Sequence, residues 1–249
     1  MSNDQITTHE HYIPQCYIEN WYNENNKVWA YNTKYKKSKQ YASAAICYID
    51  NLYEGNFETN LIENNLSKTI EPSLSKLLDK IINHEELNDI EYSSIIYHAI
   101  SLLMRSPYLV NNLPDSLNID KDTYILGALP FYLDNKVMMS LYNTYKKKYI
   151  YCIELKSKFF VFNDVTPVLL RNPKVDSDLD TFDENSNIYF PITSNMCLII
   201  TNEYQGDDFY IKVVARYIDW INELFINSKC NYIYSTNNID NYIKQHTIN

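Results

Sequence analysis

Lys27 to Tyr41, KVWAYNTKYKKSKQY, is the stretch whose reading decides the fold. Val28 and Ala30 alternate with Trp29 and Tyr31. Period-two alternation rich in aromatic and β-branched residues marks a strand. The polar centre near Thr33 to Lys37 predicts the turn of a β-hairpin. Strand partners are expected at the other end of the chain. The runs Lys158 to Asn163, Val168 to Leu170 and Met196 to Thr201 read as buried strands, and Tyr232 to Tyr234 as a last one.

Between these ends the period changes. Residues 57–83 carry Ile62, Leu66, Ile70, Leu74, Leu77 and Ile81 at spacings of three and four, an amphipathic helix with a break at Glu71 ahead of Pro72. Residues 88–105 repeat the pattern and stop at Ser106-Pro107. Further helices are expected over 9–22, entered through Pro14, over 120–148 with a break near Pro130, and over 210–229. The acidic stretch 174–187 reads as an exposed loop. The expected fold is α+β: N- and C-terminal strands forming one sheet, with a helical middle packed to one side. Residues 1–249 form one domain in this reading, with 57–150 as a helical subdomain.

Composition narrows the function. The chain has three glycines, Gly55, Gly127 and Gly206, where an average chain of this length has about seventeen. Loops that cradle phosphates need clustered glycines, because the backbone must reach φ > 0 and approach the ligand closely. GxGxxG and GxxxxGK(S/T) cannot be written here, which excludes P-loop and Rossmann nucleotide binding. GxSxG, HExxH and the EF-hand loop are absent too. A net charge of −9 opposes broad contact with duplex DNA or anionic lipid. Cys16, Cys47, Cys152, Cys197 and Cys230 are odd in number, widely spaced and without a CxxC. The opening MSNDQITTHEH is polar, and the longest apolar stretches fall well short of a membrane span. Reduced thiols, a cytoplasmic location and no membrane partner are expected.

The run His11-Tyr12-Ile13-Pro14-Gln15-Cys16-Tyr17-Ile18-Glu19-Asn20-Trp21 resembles the HxxPQxYLxxF opening of the bacterial domain-of-unknown-function family numbered 4238. Other stretches follow in the family's order. Val28-Trp29-Ala30-Tyr31 is similar to its VWVYD strand, and Asn51-Leu52-Tyr53 stands where it has DFY. Ile70-Glu71 matches its helical IE, and Met104-Arg105-Ser106-Pro107 its R(S/T)P helix end. Phe190-Pro191-Ile192-Thr193 resembles its FPLS; Asn222 and Tyr232-Ile233-Tyr234 resemble its closing helix and strand. One departure concerns the family's SDNP. Gapless alignment on Pro167 puts Val165 at the aspartate position, whereas aligning Asp164 requires one extra residue before the proline. The resemblance implies no activity, so the chemistry rests on the residues.

His9-Glu10-His11 is the densest polar cluster. On an extended segment His9 and His11 point the same way and can hold a divalent metal with a carboxylate from elsewhere. Alternatively, His11 is a general base, or it packs on the Pro14 turn. Ser94, His98, Ser101 and Arg105 share one helix face. That stripe is either a cleft in which Arg105 clamps a phosphate or carboxylate, or a solvated face. Glu71 at the proline break and Asp164 at a strand end are acid, base or ligand candidates, or a helix N-terminal carboxylate and a turn residue. Two basic-aromatic runs, one with Lys34, Lys36 and Lys37 and one with Lys146, Lys147 and Lys148, suit a nucleic-acid or nucleotide partner, or solubility alone.

Two functions are consistent with this set. One is a hydrolase acting on a phosphodiester or nucleotide, with His11 as base or ligand, Arg105 as clamp, and Glu71 and Asp164 as acid or metal groups. The other is a non-catalytic binding module in which the same residues are structural. Convergence of His11, Glu71 and Arg105 on an open pocket favours the first; mutual pairing under cover favours the second.

Overall fold

The structure is a computed structural model that describes residues 9–53, 60–107, 110, 142–171 and 185–247. The N-terminal elements are β1 (His9–His11), α1 (Gln15–Glu19), β2 (Val28–Asn32), β3 (Lys37–Tyr41) and β4 (Tyr48–Asp50). Then come α2 (Leu61–Asn65), a π-helical turn (Leu66–Ile70), α3 (Glu71–Ile82) and α4 (Asp89–Met104). The C-terminal part holds β5 (Tyr149–Glu154), β6 (Phe162–Asn163), β7 (Val168–Arg171), β8 (Ser186–Thr193), β9 (Met196–Thr201) and β10 (Tyr210–Ile211). It closes with α5 (Ala215–Ile226), β11 (Tyr232–Ser235) and α6 (Asp240–His246).

β2 and β3 make the hairpin that the alternation predicts, turning through Lys36 at φ 52°. The other edge of β2 pairs antiparallel with β11, from Tyr232 opposite Asn32 to Ser235 opposite Trp29, and β11 pairs with β6. The two ends of the chain are thus joined in one four-stranded sheet, β3-β2-β11-β6, and the α+β class holds.

The strands do not all enter that sheet. β10-β5-β9-β8-β7 form a second one, and among the described residues β1 pairs with β4 alone. Burial accounts for the division. Every residue of β9 is buried, so both of its faces need cover. The half-exposed β3 needs cover on one face only. Of the run Lys158 to Asn163, only Phe162–Asn163 is strand. The residues before it cross between sheets: the Phe160 amide donates to the Ser194 carbonyl (2.7 Å) and the Val161 amide to Asn222 Oδ1 (3.1 Å). β8 lacks a plain apolar pattern, and its register shifts by a bulge between Pro191 and Thr193, since proline has no N–H for the ladder.

The long middle helix is divided as expected, with an added turn. Pro72 lies in the first turn of α3, and the π-helical turn just before it carries the chain from α2 to α3. α4 begins with a capping box: Asn88 Oδ1 accepts from the Ile90 and Glu91 amides (3.0 Å each), and Glu91 Oε2 accepts from the Asn88 amide (3.0 Å). Residues 9–22 are not one helix: β1 precedes α1, whose N-cap is Pro14. Most of the helix expected over 120–148 and most of the acidic stretch 174–187 lie outside the described residues. Left-handed turns fall on Asn26, Asn51 and Asn60 (φ 53–58°), side chains that tolerate this backbone where glycine is scarce.

One hydrophobic cluster connects both larger sheets with the helices. Tyr92 Oη donates to the Ile150 carbonyl of β5 (3.1 Å), and Tyr210 Oη donates to the Ile81 carbonyl of α3 (2.8 Å). Among the described residues no helix is long and apolar enough to cross a membrane.

Candidate functional site

β1, the start of α3 and the end of α4 bring three of the sequence candidates together. Arg105, the C-cap of α4, is fully buried. Its Nη2 donates to the main-chain carbonyl of His11 and to Glu71 Oε1 at 2.9 Å. Tyr53 Oη donates to the carbonyl of Arg105 (3.3 Å), and Glu10, also buried, accepts from the Tyr53 amide (2.7 Å). Burial lowers the His11 pKa, Glu71 opposes that, and Arg105 adds to it. Burial raises the Glu63 pKa against the pull of Arg105. The Arg105 side chain is 1% exposed and that of Glu71 22%, so the charged pair sits under cover rather than at a cleft.

The polar stripe on α4 is buried as well. His98 and Ser101 are covered along with Arg105, so the solvated-face alternative is corrected. Ser73 of α3 lies over the stripe, its Oγ 3.2 Å from His98 Nε2, and burial brings the His98 pKa down to about 4.

His9 and His11 do share a face, as an extended β1 requires. Their rings flank Tyr48, with centroids at 4.5 and 5.7 Å. His9 is exposed and pairs with Asp50 (2.5 Å). Among the described residues no group of three His, Cys, Asp or Glu is placed to hold a metal ion.

Asp164 takes no part in the Arg105 bonds. Both of its oxygens accept from the Asn231 amide (3.1 and 3.0 Å), which anchors the segment leading into β11. Burial pushes its carboxyl up to about 6, against these hydrogen bonds. An upward shift means that the folded chain holds the proton more tightly than the unfolded one. This contribution is therefore fullest below the ordinary carboxylate range and is lost as pH rises through about 6. Asp164→Asn removes the titration. Its stability relative to wild type is expected to rise by about 2–3 kcal/mol between about pH 3.5 and about pH 7. Urea unfolding of both proteins at the two pH values measures this, and a constant difference would contradict it.

The basic runs differ from each other. Lys34, Lys36 and Lys37 are exposed around the hairpin turn, and Lys146 and Lys147 are exposed too. Lys148 is buried, donates to Asn202 Oδ1 (3.1 Å) and lies over the Tyr145 ring, so it is corrected from partner contact to internal contact. All five cysteines are free. Burial pushes Cys16 and Cys230 up to about 12, so little thiolate forms near neutral pH. Thiol titration is expected to count five after denaturation without reductant and to proceed slowly before it; a count of three or one would reveal disulfides.

A cavity of about 680 Å³ opens elsewhere, and the sequence reading missed it. Its floor is a cross-strand row, Tyr151 opposite Ile199 opposite Tyr189, on three neighbouring strands. Its wall is the first turns of α5, with Tyr217 and Trp220, and its rim includes Lys212, Arg216 and Glu203. Trp220 stacks on Tyr217 (5.3 Å, 20°) and meets Tyr189 edge-on (5.6 Å, 81°). The available signal was the aromatic-rich start of the 210–229 helix, Tyr217 and Trp220, in a stretch that the periodicity marked only as a helix.

Residues 9–127 match the family model described as Protein of unknown function (DUF4238). The chain therefore resembles this family from the opening motif through the Arg105 helix end, while the motifs at 190–193 and 232–234 lie beyond the matched part. No curated protein and no solved structure matches.

Proposed function

We propose, for a chain whose residues 9–127 match that family model, a non-catalytic binding module in which the motif residues lock the fold. The observation that carries this reading is the burial of Arg105, whose guanidinium bonds to the His11 carbonyl and the Glu71 carboxylate. A phosphate clamp has to present its donors to a ligand, and these donors face the protein's own chain. The rest of the opening motif is also packed inward. Tyr17 stacks on Phe190 (5.6 Å, 14°) and donates to the Pro191 carbonyl; thus one family motif is docked on another. Binding then belongs to the open cavity beside α5.

A double-mutant cycle between Glu71 and Arg105 tests the lock. Removing both partners is expected to cost about 1–3 kcal/mol less than the sum of the single losses. Coupling below about 0.5 kcal/mol would remove the basis for the structural reading.

One observation favours the phosphodiester or nucleotide hydrolase instead. The His11 Nε2 is buried with no hydrogen-bond partner among the described residues, and the ring is biased toward the neutral form that a general base needs. Cleavage of a phosphodiester substrate that disappears in His11→Ala, with the fold intact, would establish that alternative.

A further inference from the structure

We infer that the cavity beside α5 binds a small molecule carrying a planar aromatic ring and an anionic group. This inference rests on the binding-module reading and adds its ligand class. The cavity, about 680 Å³, falls within the size range of small-molecule sites, roughly 300–1,000 Å³.

The ring requirement comes from the wall. Trp220 and Tyr217 present a stacked pair at the cavity, and Trp220 keeps 36% of its surface exposed. Tyr189 and Ile199 lie buried beneath, making an apolar floor fixed by β-sheet pairing. A flat ring covers such a surface with little entropy cost, because stacking and desolvation act over its whole face.

The anion requirement comes from the rim. Lys212 and Arg216 both line the cavity, and neither has an ion-pair partner among the described residues. In a chain of net charge −9, an opening where cations outnumber carboxylates is a local reversal of sign. Glu203 also lines the cavity, so the local balance is two cations to one carboxylate, still favouring an anion. Arg216 can grip a phosphate or carboxylate through two parallel N–H bonds, and Lys212 adds a point charge. The aromatic pair and the two cations line the same cavity, so one molecule that carries both a ring and a charge meets both.

The shared chemistry of a nucleoside monophosphate and an aromatic carboxylate satisfies both requirements. Calorimetric titration of the full chain with adenosine 5′-monophosphate, indole-3-acetate, adenosine and inorganic phosphate separates the sources. At least one of the two ring-bearing anions is expected to bind at least tenfold more tightly than adenosine or phosphate. The Lys212→Ala/Arg216→Ala double variant is expected to weaken that ligand at least tenfold. Both side chains lie at the rim, so its unfolding midpoint is expected to stay at the wild-type value. Trp220→Ala, checked for folding by circular dichroism, should weaken the same ligand by a comparable factor. Failure of both anions to bind, or binding unchanged in the double variant, overturns the assignment. That failure leaves the Glu71–Arg105 coupling untouched, so the lock stands or falls separately. Turnover of the bound nucleotide would support the groove while overturning the non-catalytic reading.

Discussion

Arg105→Ala is expected to destabilise the protein by about 3 kcal/mol, near the lower end of the range for breaking a buried ion pair. Among the described residues, the Glu71 carboxylate and the His11 main-chain carbonyl lose their partner together. The carbonyl is held in β1, where it cannot turn to water without disturbing the pairing of His11 with Tyr48. Glu71 keeps 22% of its side chain exposed, and partial hydration of the freed carboxylate keeps the loss from being larger. Arg105→Lys retains the charge but not the planar fork, and about half of the loss is expected. His11→Ala is the control. Arg105 holds the main-chain oxygen of His11, which alanine also has, so this variant should lose about 1 kcal/mol or less. Urea unfolding followed by circular dichroism ranks the three. Arg105→Ala within about 0.5 kcal/mol of wild type, as at an open surface site, would return Arg105 to the list of ligand-binding candidates.

Trp21→Ala is expected to cost more, about 3–5 kcal/mol. Trp21 closes the opening motif and has no exposed surface. Its ring lies 4.6 Å from Phe162 of β6 and 6.4 Å from Tyr17 of α1, so it joins the N-terminal helix to the four-stranded sheet. Thr236 Oγ1 also donates to its carbonyl (3.2 Å), bringing the segment after β11 against it. Alanine would leave a cavity where three distant parts of the chain meet, and a close-packed core collapses only partly around such a void. With total stabilities of about 5–15 kcal/mol, a loss of this size leaves a marginal fold. Trp21→Phe retains most of the volume and should cost about 1–2 kcal/mol. A Trp21→Ala protein with wild-type urea midpoint would show that the opening motif is not core.

The legible parts of the fold were the local ones. Alternation in residues 28–31 located β2, and apolar periodicity placed the α4 helix to within a residue at each end. β8 was hidden because Asn187, Pro191 and Thr193 interrupt its apolar pattern; its place is set by neighbours on both sides. The resemblance pairs the opening motif with the helix-end motif, and Arg105 bonds to the main-chain carbonyl of His11 and to the Glu71 carboxylate. Whether they would be open or covered was not legible. A helix face reads as polar from its side chains, yet the burial of Ser101 and His98 depends on α3 being laid across it.

By itself, the sequence determined the α+β class, the hairpin, the α4 helix and the exclusion of glycine-rich phosphate loops. Each follows from a property carried by neighbouring residues or by composition: periodicity or the backbone freedom of glycine. Only the tertiary structure decided that Arg105 is buried against His11 and Glu71, because these partners lie 94 and 34 residues away and its exposure depends on what closes over it. Only the tertiary structure made the cavity, whose floor is a row across three strands and whose wall is a helix from another part of the chain. No local pattern encodes such a surface, since it exists only once strand register and helix docking bring its residues side by side.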